Sequence, residues 1–200
     1  MYRKNLKVLD CTIRDGGLQN RWKFSDKFVK AVYNACVESG VDYMEIGYKS
    51  SEKAYSREEN GPWKFCDEKD LRRIVGDNNT NLKLSAMADI GRIEFEDILP
   101  KSESVLDLIR VACYDYQIDK AIALAEHCID KGYEVSINLM AVSKVIEHTL
   151  DQVLVDISKS RIEYFYLVDS YGSMYSEQIE SLTKKYINAL PGKVIGFHGH

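Results

Sequence analysis

The sequence predicts an α/β fold, a (β/α)8 TIM-type barrel of which about seven strands lie in this chain. Short β-type runs alternate with longer amphipathic patterns from one end to the other. Strand starts fall near residues 6, 42, 82, 105, 133, 163 and 193, so a β–α unit recurs along the whole chain. No Pro/Ser-rich linker or low-complexity tract interrupts the series, so residues 1–200 are read as a single domain. Such alternation builds a parallel sheet with helices outside it. An open doubly wound sheet and a closed barrel both satisfy it. A barrel takes about 250 residues, so the seven strands read as a barrel cut off at the end of the seventh, the eighth lying beyond this sequence.

The first strand is "LKVLDC" (6–11), and it runs into "TIRDGG", where charge and two glycines end the apolar run. "SDKFVKAVYNACVESG" then begins at Ser25, a good N-cap, sets Phe28, Val29, Val32, Cys36 and Val37 on one stripe, and ends at Gly40. The second strand, "DYMEIGY" (42–48), is followed by the longest unassigned stretch, 49–66, which a barrel places among its active-site loops. "DEKDLRRIVG" is a helix with Asp67 and Asp70 at capping-box-like spacing and a stop at Gly76. Strands "LKLSAMA" (82–88) and "VLDLIRVAC" (105–113) come next. "YQIDKAIALAEHCIDKG" puts Ile118, Ala121, Ile122, Ala125 and Ile129 inside and ends at Gly132. Strands "YEVSINLM" (133–140), "EYFYLVDS" (163–170) and "KVIGFHGH" (193–200) alternate with the helices "TLDQVLVDISKS" and "SEQIESLTKKYINAL", the last stopped by Pro191-Gly192.

A chain of 200 residues at 45% hydrophobic content supports one substantial core. With 27 basic and 31 acidic residues, net −4, it lacks the electrostatic footprint of a nucleic-acid or anionic-membrane binder. "MYRKNLKVLD" has no apolar signal core, and no 18-residue apolar run offers a membrane span. Cys11, Cys36, Cys66, Cys113 and Cys128 are odd in number and show no metal-finger spacing, which fits free thiols in a reducing cytoplasm.

Catalytic groups in a parallel barrel come from the C-terminal ends of strands. Asp10, Arg14 and Asp15 follow strand one; Glu45, Gly47 and Lys49 mark strand two; Asp89 ends strand three. Arg110 and Asp115 mark strand four, Asn138 strand five, Asp169 and Ser170 strand six. Glu45, Arg110 and Asn138 read equally well as a satisfied polar layer inside a barrel, Asp89 and Asp115 as caps of the following turns or helices, and His127 and His148 as surface or interface residues. His198 and His200 stand apart. Residues two apart on a strand share a face, and two imidazoles with one carboxylate form a facial set for a divalent metal. Asp15 is the candidate carboxylate.

"LDCTIRDGG" resembles the D-x-T-[LI]-R-D-G signature of the DRE-TIM metallolyases, the HMG-CoA lyase-like and pyruvate carboxyltransferase-like group of metal-dependent lyases and synthases. "SGVDYMEIGY" is similar to their second strand, "YLVDSYGSMYSEQIE" to a strand-six segment of the 4-hydroxy-2-oxovalerate aldolase branch, and "VIGFHGH" to their metal strand. The resemblance implies a barrel that binds a divalent cation, Mn²⁺ before Mg²⁺, Zn²⁺ or Co²⁺, through Asp15, His198 and His200. It assigns Arg14 to the enolate oxygen of a small 2-keto acid of the pyruvate type, and homo-oligomers are frequent in the family. A Lewis acid on the keto and carboxylate oxygens and a fixed guanidinium beside them both favour the charge that develops in an enolate. Gly16 and Gly17 are expected to turn the backbone tightly beside the ligand. Glu45 is a catalytic candidate beside Arg14; Asp169, Asn138 and Gly16 are substrate-binding candidates; Tyr171 and Lys49 are supporting ones.

The chain also departs from each branch. The aldolases carry a histidine base three residues after the motif aspartate, where this chain has Leu18; the synthases have a glutamate where Gly17 stands; the lyases read "RDGLQN" against "RDGGLQN" here. Trp22 and Phe24 read as a lid packed on the barrel. The leading expectation is a metal-dependent aldolase or lyase; an acyl-CoA-dependent Claisen synthase and a catalytically silent metal-binding barrel are the alternatives.

Overall fold

The structure, a computed structural model, describes residues 5–200. Its strands are β1 (Leu9–Asp10), β2 (Tyr43–Tyr48), β3 (Lys83–Asp89), β4 (Leu108–Cys113), β5 (Glu134–Leu139), β6 (Tyr164–Asp169) and β7 (Val194–Gly199). Its helices are α1 (Thr12–Asn20), α2 (Asp26–Ser39), α3 (Glu68–Val75), α4 (Ile118–Asp130), α5 (Glu147–Lys159) and α6 (Ser176–Ala189). The strands follow in the sheet order β1-β2-β3-β4-β5-β6-β7, parallel at β1–β2, β2–β3, β5–β6 and β6–β7. The expected α/β class is therefore present, with seven strands of the eight that a full barrel has. The chain divides into two compact units, one reaching to Ile109 and adding Lys131–Tyr133, the other made of Arg110–Asp130 and Glu134–His200.

In the first unit β2 is buried on both faces, as a strand of a helix-covered parallel sheet must be: Met44, Glu45 and Ile46 are all fully inside. Its register against β3 slips between Glu45 and Gly47. There the chain of residues 49–66 returns to seat Trp63 against Gly47, and a Cβ on Gly47 would overlap the Trp63 carbonyl. Pro62–Lys64 make a short 3₁₀ turn, with Trp63 and Phe65 in the core.

The start of the chain differs from expectation. The strand expected over 6–11 is only Leu9–Asp10, with Leu6 and Val8 exposed, because only Leu9 and Asp10 find register partners, in Tyr43 and Met44. "TIRDGGLQN" is not a tight turn but helix α1. The Asp10 carboxylate accepts from the Thr12 backbone N–H at 3.1 Å and the Thr12 hydroxyl at 2.7 Å, satisfying an orphan donor at the helix start. Gly16 and Gly17 thus lie within a helix. Gly17 is needed there because the Trp22 ring occupies the space a Cβ would take. The helix ends through Arg21 and Trp22 at φ 56° and 57°, which folds Trp22 inward to 7% exposure, a core residue and no lid.

Helix α2 starts as read, with the Ser25 hydroxyl accepting from the Phe28 N–H at 3.3 Å, and stops at Gly40 with φ 71°. Its buried stripe is Val29, Tyr33 and Cys36; Phe28 stays outside, where Phe24 stacks on it. Asp67 stands at the N-cap of α3, but its side chain makes no capping hydrogen bond and pairs with Arg57 at 2.8 Å instead.

In the second unit β5, β6 and β7 hold an unbroken register, with Asn138 beside Tyr166, Tyr166 beside Gly196, and Val168 beside His198. Gly196 has no room for a Cβ because the Tyr166 ring covers it. The inner stripe of α4 is Ile118, Ala121, Leu124, Ala125 and Cys128, so Leu124 and Cys128 replace the expected Ile122 and Ile129. Among the described residues no helix is long and apolar enough to cross a membrane, and the five cysteines are free thiols.

Candidate active site

Arg14 is the hub of the first unit's polar cluster. Helix α1 carries it inward to 4% exposure, where Nε donates to Glu45 Oε2 at 2.7 Å, Nη1 donates to Asp15, and the Tyr48 hydroxyl accepts a further guanidinium hydrogen bond. The Trp22 indole N–H donates to the Arg14 carbonyl at 2.9 Å, fixing the main chain as well. Burial opposes the guanidinium charge, but Glu45, then Tyr48, Cys11 and Asp15, hold it above its ordinary value. Glu45 is fully buried, and the Cys11 thiol donates to its Oε2 at 3.5 Å. A buried pair of this kind is a fixed cation with almost no freedom, and it costs nothing to reorganise when a negative charge forms next to it. The Asp15 side chain remains 32% exposed beside it.

Asp89, at the end of β3, is not a turn cap: its carboxylate faces Arg92 at 3.3 Å, and burial raises its pKa against the pull of Lys64, Arg92 and Arg14. Lys49 lines a cleft of about 530 Å³ with Ser50, Glu52, Arg57 and Asp67. Leu18 lies 58% exposed on α1. A feature invisible in the sequence is Lys64, an ammonium buried to 2% exposure over the rings of Trp22, Tyr48 and Tyr55 at 4.1, 3.9 and 4.1 Å. Only the run "GPWK", which seats a lysine between bulky apolar residues, could have hinted at it.

In the second unit His198 and His200 project together, ring centroids 4.9 Å apart and interplanar angle 66°. Gly172, at φ 57°, lets the loop after β6 close on the His200 backbone; a Cβ would stand 2.7 Å from the His200 carbonyl. Asp169 is 3% exposed, and its two oxygens accept from the Ser173 and Met174 N–H groups at 3.2 and 3.0 Å, so it shapes that loop. Asn138 is 1% exposed; Ser136 donates to its Oδ1 at 3.1 Å while its amide nitrogen has no partner among the described residues. The Arg110 guanidinium lies over the Tyr166 ring at 4.7 Å, in the same buried layer. Tyr171 is exposed, with the Lys144 ammonium over its ring at 5.7 Å. His148 is exposed and His127 half-buried. Adjacent imidazoles on one strand suit chelation of one divalent ion, and a partly exposed carboxylate is the matching third donor type.

No family model matches the chain. It is 27% identical over 204 residues to an oxaloacetate decarboxylase of Mycobacterium tuberculosis, covering 96% of this chain and 56% of that protein. It is 24% identical over 197 residues to 4-hydroxy-2-oxovalerate aldolase 3 of Rhodococcus jostii, covering 98% of this chain and 58% of that protein. Among solved structures, the N-terminal domain of a candidate aldolase from Bacteroides vulgatus superposes with a TM-score of 0.78 at 29% identity, over 98% of this chain and 64% of that one. The HMG-CoA lyase of Bacillus subtilis shares the fold alone, with a TM-score of 0.74 at 15% identity, over 100% of this chain and 70% of that one. The chain thus spans little more than half the length of the curated relatives it matches. These matches are consistent with the DRE-TIM metallolyase superfamily, and the chain's curated likenesses lie among the aldolases and decarboxylases.

Proposed function

We propose that this chain carries the active centre of a divalent-metal-dependent carbon–carbon lyase that acts on a 2-keto acid through a pyruvate-type enolate. The observation that carries the reading is the Arg14 cluster, a buried guanidinium fixed by Glu45, Asp15 and Tyr48 right after the first strand. Asp15, His198 and His200 would hold the cation, with Mn²⁺ preferred to Mg²⁺, Zn²⁺ or Co²⁺. Such an ion supplies Lewis-acid polarisation of the keto and carboxylate oxygens. Arg14 orients the keto oxygen and donates to it as charge accumulates there, while Glu45 keeps the guanidinium aimed. Asn138, with its amide donor uncommitted, would bind a polar group of the substrate, and the backbone at Gly16 would border it. The relatives' printed activities, oxaloacetate decarboxylation and hydroxy-oxovalerate cleavage, both release pyruvate from a 2-keto acid and support the class. Free thiols fit a cytoplasmic setting.

The test is exchange of the pyruvate methyl protons into D₂O, followed by NMR. Exchange is expected with Mn²⁺ and lost with chelator or in Asp15→Ala. A metal-loaded protein that leaves the methyl signal intact refutes the reading.

A further inference from the structure

Enolate chemistry needs a group that delivers a proton to the carbon beside the keto group, and Glu45, Asp15 and Tyr48 all reach the Arg14 guanidinium. Glu45 and Asp15 are carboxylates ion-paired to it; Tyr48 is the partner with a transferable O–H. Tyr48 is the last residue of β2 and 7% exposed. Its ring is wedged edge-on against Trp22, centroids 5.2 Å apart at 80°. The Lys64 ammonium stands 3.9 Å from the Tyr48 ring centre, and among the described residues it makes neither a hydrogen bond nor an ion pair, so no direct partner neutralises its charge.

We propose that Tyr48 is a catalytic residue, the proton carrier of the enolate step, and that Lys64 is a positioning residue that holds the Tyr48 ring and stabilises its phenolate. The inference rests on the enolate reading given above. In the step, the Tyr48 O–H bond breaks and its proton goes to the nucleophilic carbon. The enolate electron pair becomes the new C–H bond, leaving pyruvate and a phenolate that takes a proton back from solvent. The reverse step removes a methyl proton. Arg14 and Lys64 are the cations facing the phenol, Glu45 and Asp89 the anions. Burial first, then Asp89, keep the hydroxyl above its ordinary pKa, so it starts the step protonated. An ammonium engaged by a carboxylate would do little for the phenolate. Lys64 feels Asp89 but is ion-paired to no carboxylate among the described residues, so its field still reaches the phenolate in a site of low dielectric.

The test uses the full chain loaded with Mn²⁺. Tyr48→Phe should slow pyruvate methyl exchange by about 10²–10⁴-fold while the pyruvate KM stays within about threefold. Lys64→Met should slow exchange roughly tenfold and Lys64→Arg should restore it. In protein labelled at the tyrosine ¹³Cζ, the resonance missing from Tyr48→Phe should titrate at lower pH in Lys64→Arg, whose guanidinium stays charged where the phenol ionises, than in the wild type or Lys64→Met, a readout that needs no turnover. Wild-type exchange that survives in Tyr48→Phe, or is lost there through KM alone, overturns the proposal and leaves the enolate reading standing. A Tyr48 resonance unmoved by Lys64→Arg overturns the role of Lys64. A wild type that exchanges nothing overturns the enolate reading, and the proposal with it.

Discussion

Buried charge in the first unit sets two expectations at single residues. Glu45 and Arg14 desolvate each other, so Glu45→Ala leaves a cation inside with part of its compensation gone. Breaking such a pair costs about 3–5 kcal/mol; urea unfolding of the variant should show a loss of that order, with the slope unchanged. Lys64 is a different case. Burial pushes its pKa down to about 8 from an ordinary 10.5, against the pull of Asp89. Between those values the unfolded chain holds more protons than the folded one, so this residue's contribution to stability rises with pH. The stability of wild type relative to Lys64→Met should therefore be lowest below pH 8 and climb towards pH 10.5, read from paired melting curves. A difference that falls over that range would mean that the ammonium is favoured inside.

Helix ends and one crowded strand govern the elements. Ser25→Ala removes the acceptor for the Phe28 N–H at the start of α2 and should cost about 1 kcal/mol, a small shift in the denaturation midpoint. Gly47→Ala should cost several times more, about 3 kcal/mol or beyond, because the new methyl meets the Trp63 carbonyl and comes within 2.7 Å of the Cys66 sulfur. Both are backbone or core contacts that cannot retreat. Circular dichroism melts on the two variants should rank them in that order.

For the molecule as a whole, the order of β–α units could be read from hydrophobic runs and glycine stops, because a parallel sheet writes its strands as short apolar stretches. β2, β3, β5, β6 and β7 formed within a residue of the expected bounds, and β4 starts three residues later than expected, at Leu108. β1 did not, since Leu6 and Val8 are apolar but stay exposed, and only Leu9 and Asp10 take up sheet register. The paired projection of His198 and His200 followed from strand period alone. The partners of Arg14 and the cage of Lys64 were not legible. They join residues 14, 22, 45, 48, 55 and 64 through a loop that has no periodicity, and Gly17 of the motif makes room for a neighbouring indole instead of a turn. If Asp15, His198 and His200 take one cation, a ligand bound only by the folded state stabilises it, by about 2.7 kcal/mol at a hundred times Kd. Saturating Mn²⁺ should raise the melting temperature of the wild type and leave that of His200→Ala unmoved.

The segment after β2 bears on how such a protein can diverge. Surface loops usually change independently of the scaffold and so carry new specificities. Here Gly61 lies under the Trp22 carbonyl, Trp63 fills the space above Gly47, and Lys64 is clasped by Trp22 and Tyr48. Exchanging this loop alone would strand each of those partners, and substitutions at the contacts should be strongly non-additive. New variants of this lineage are therefore reached by inheriting loop, strand end and indole as one block, and a graft that respects that block is the smallest unit of recombination the first unit will tolerate.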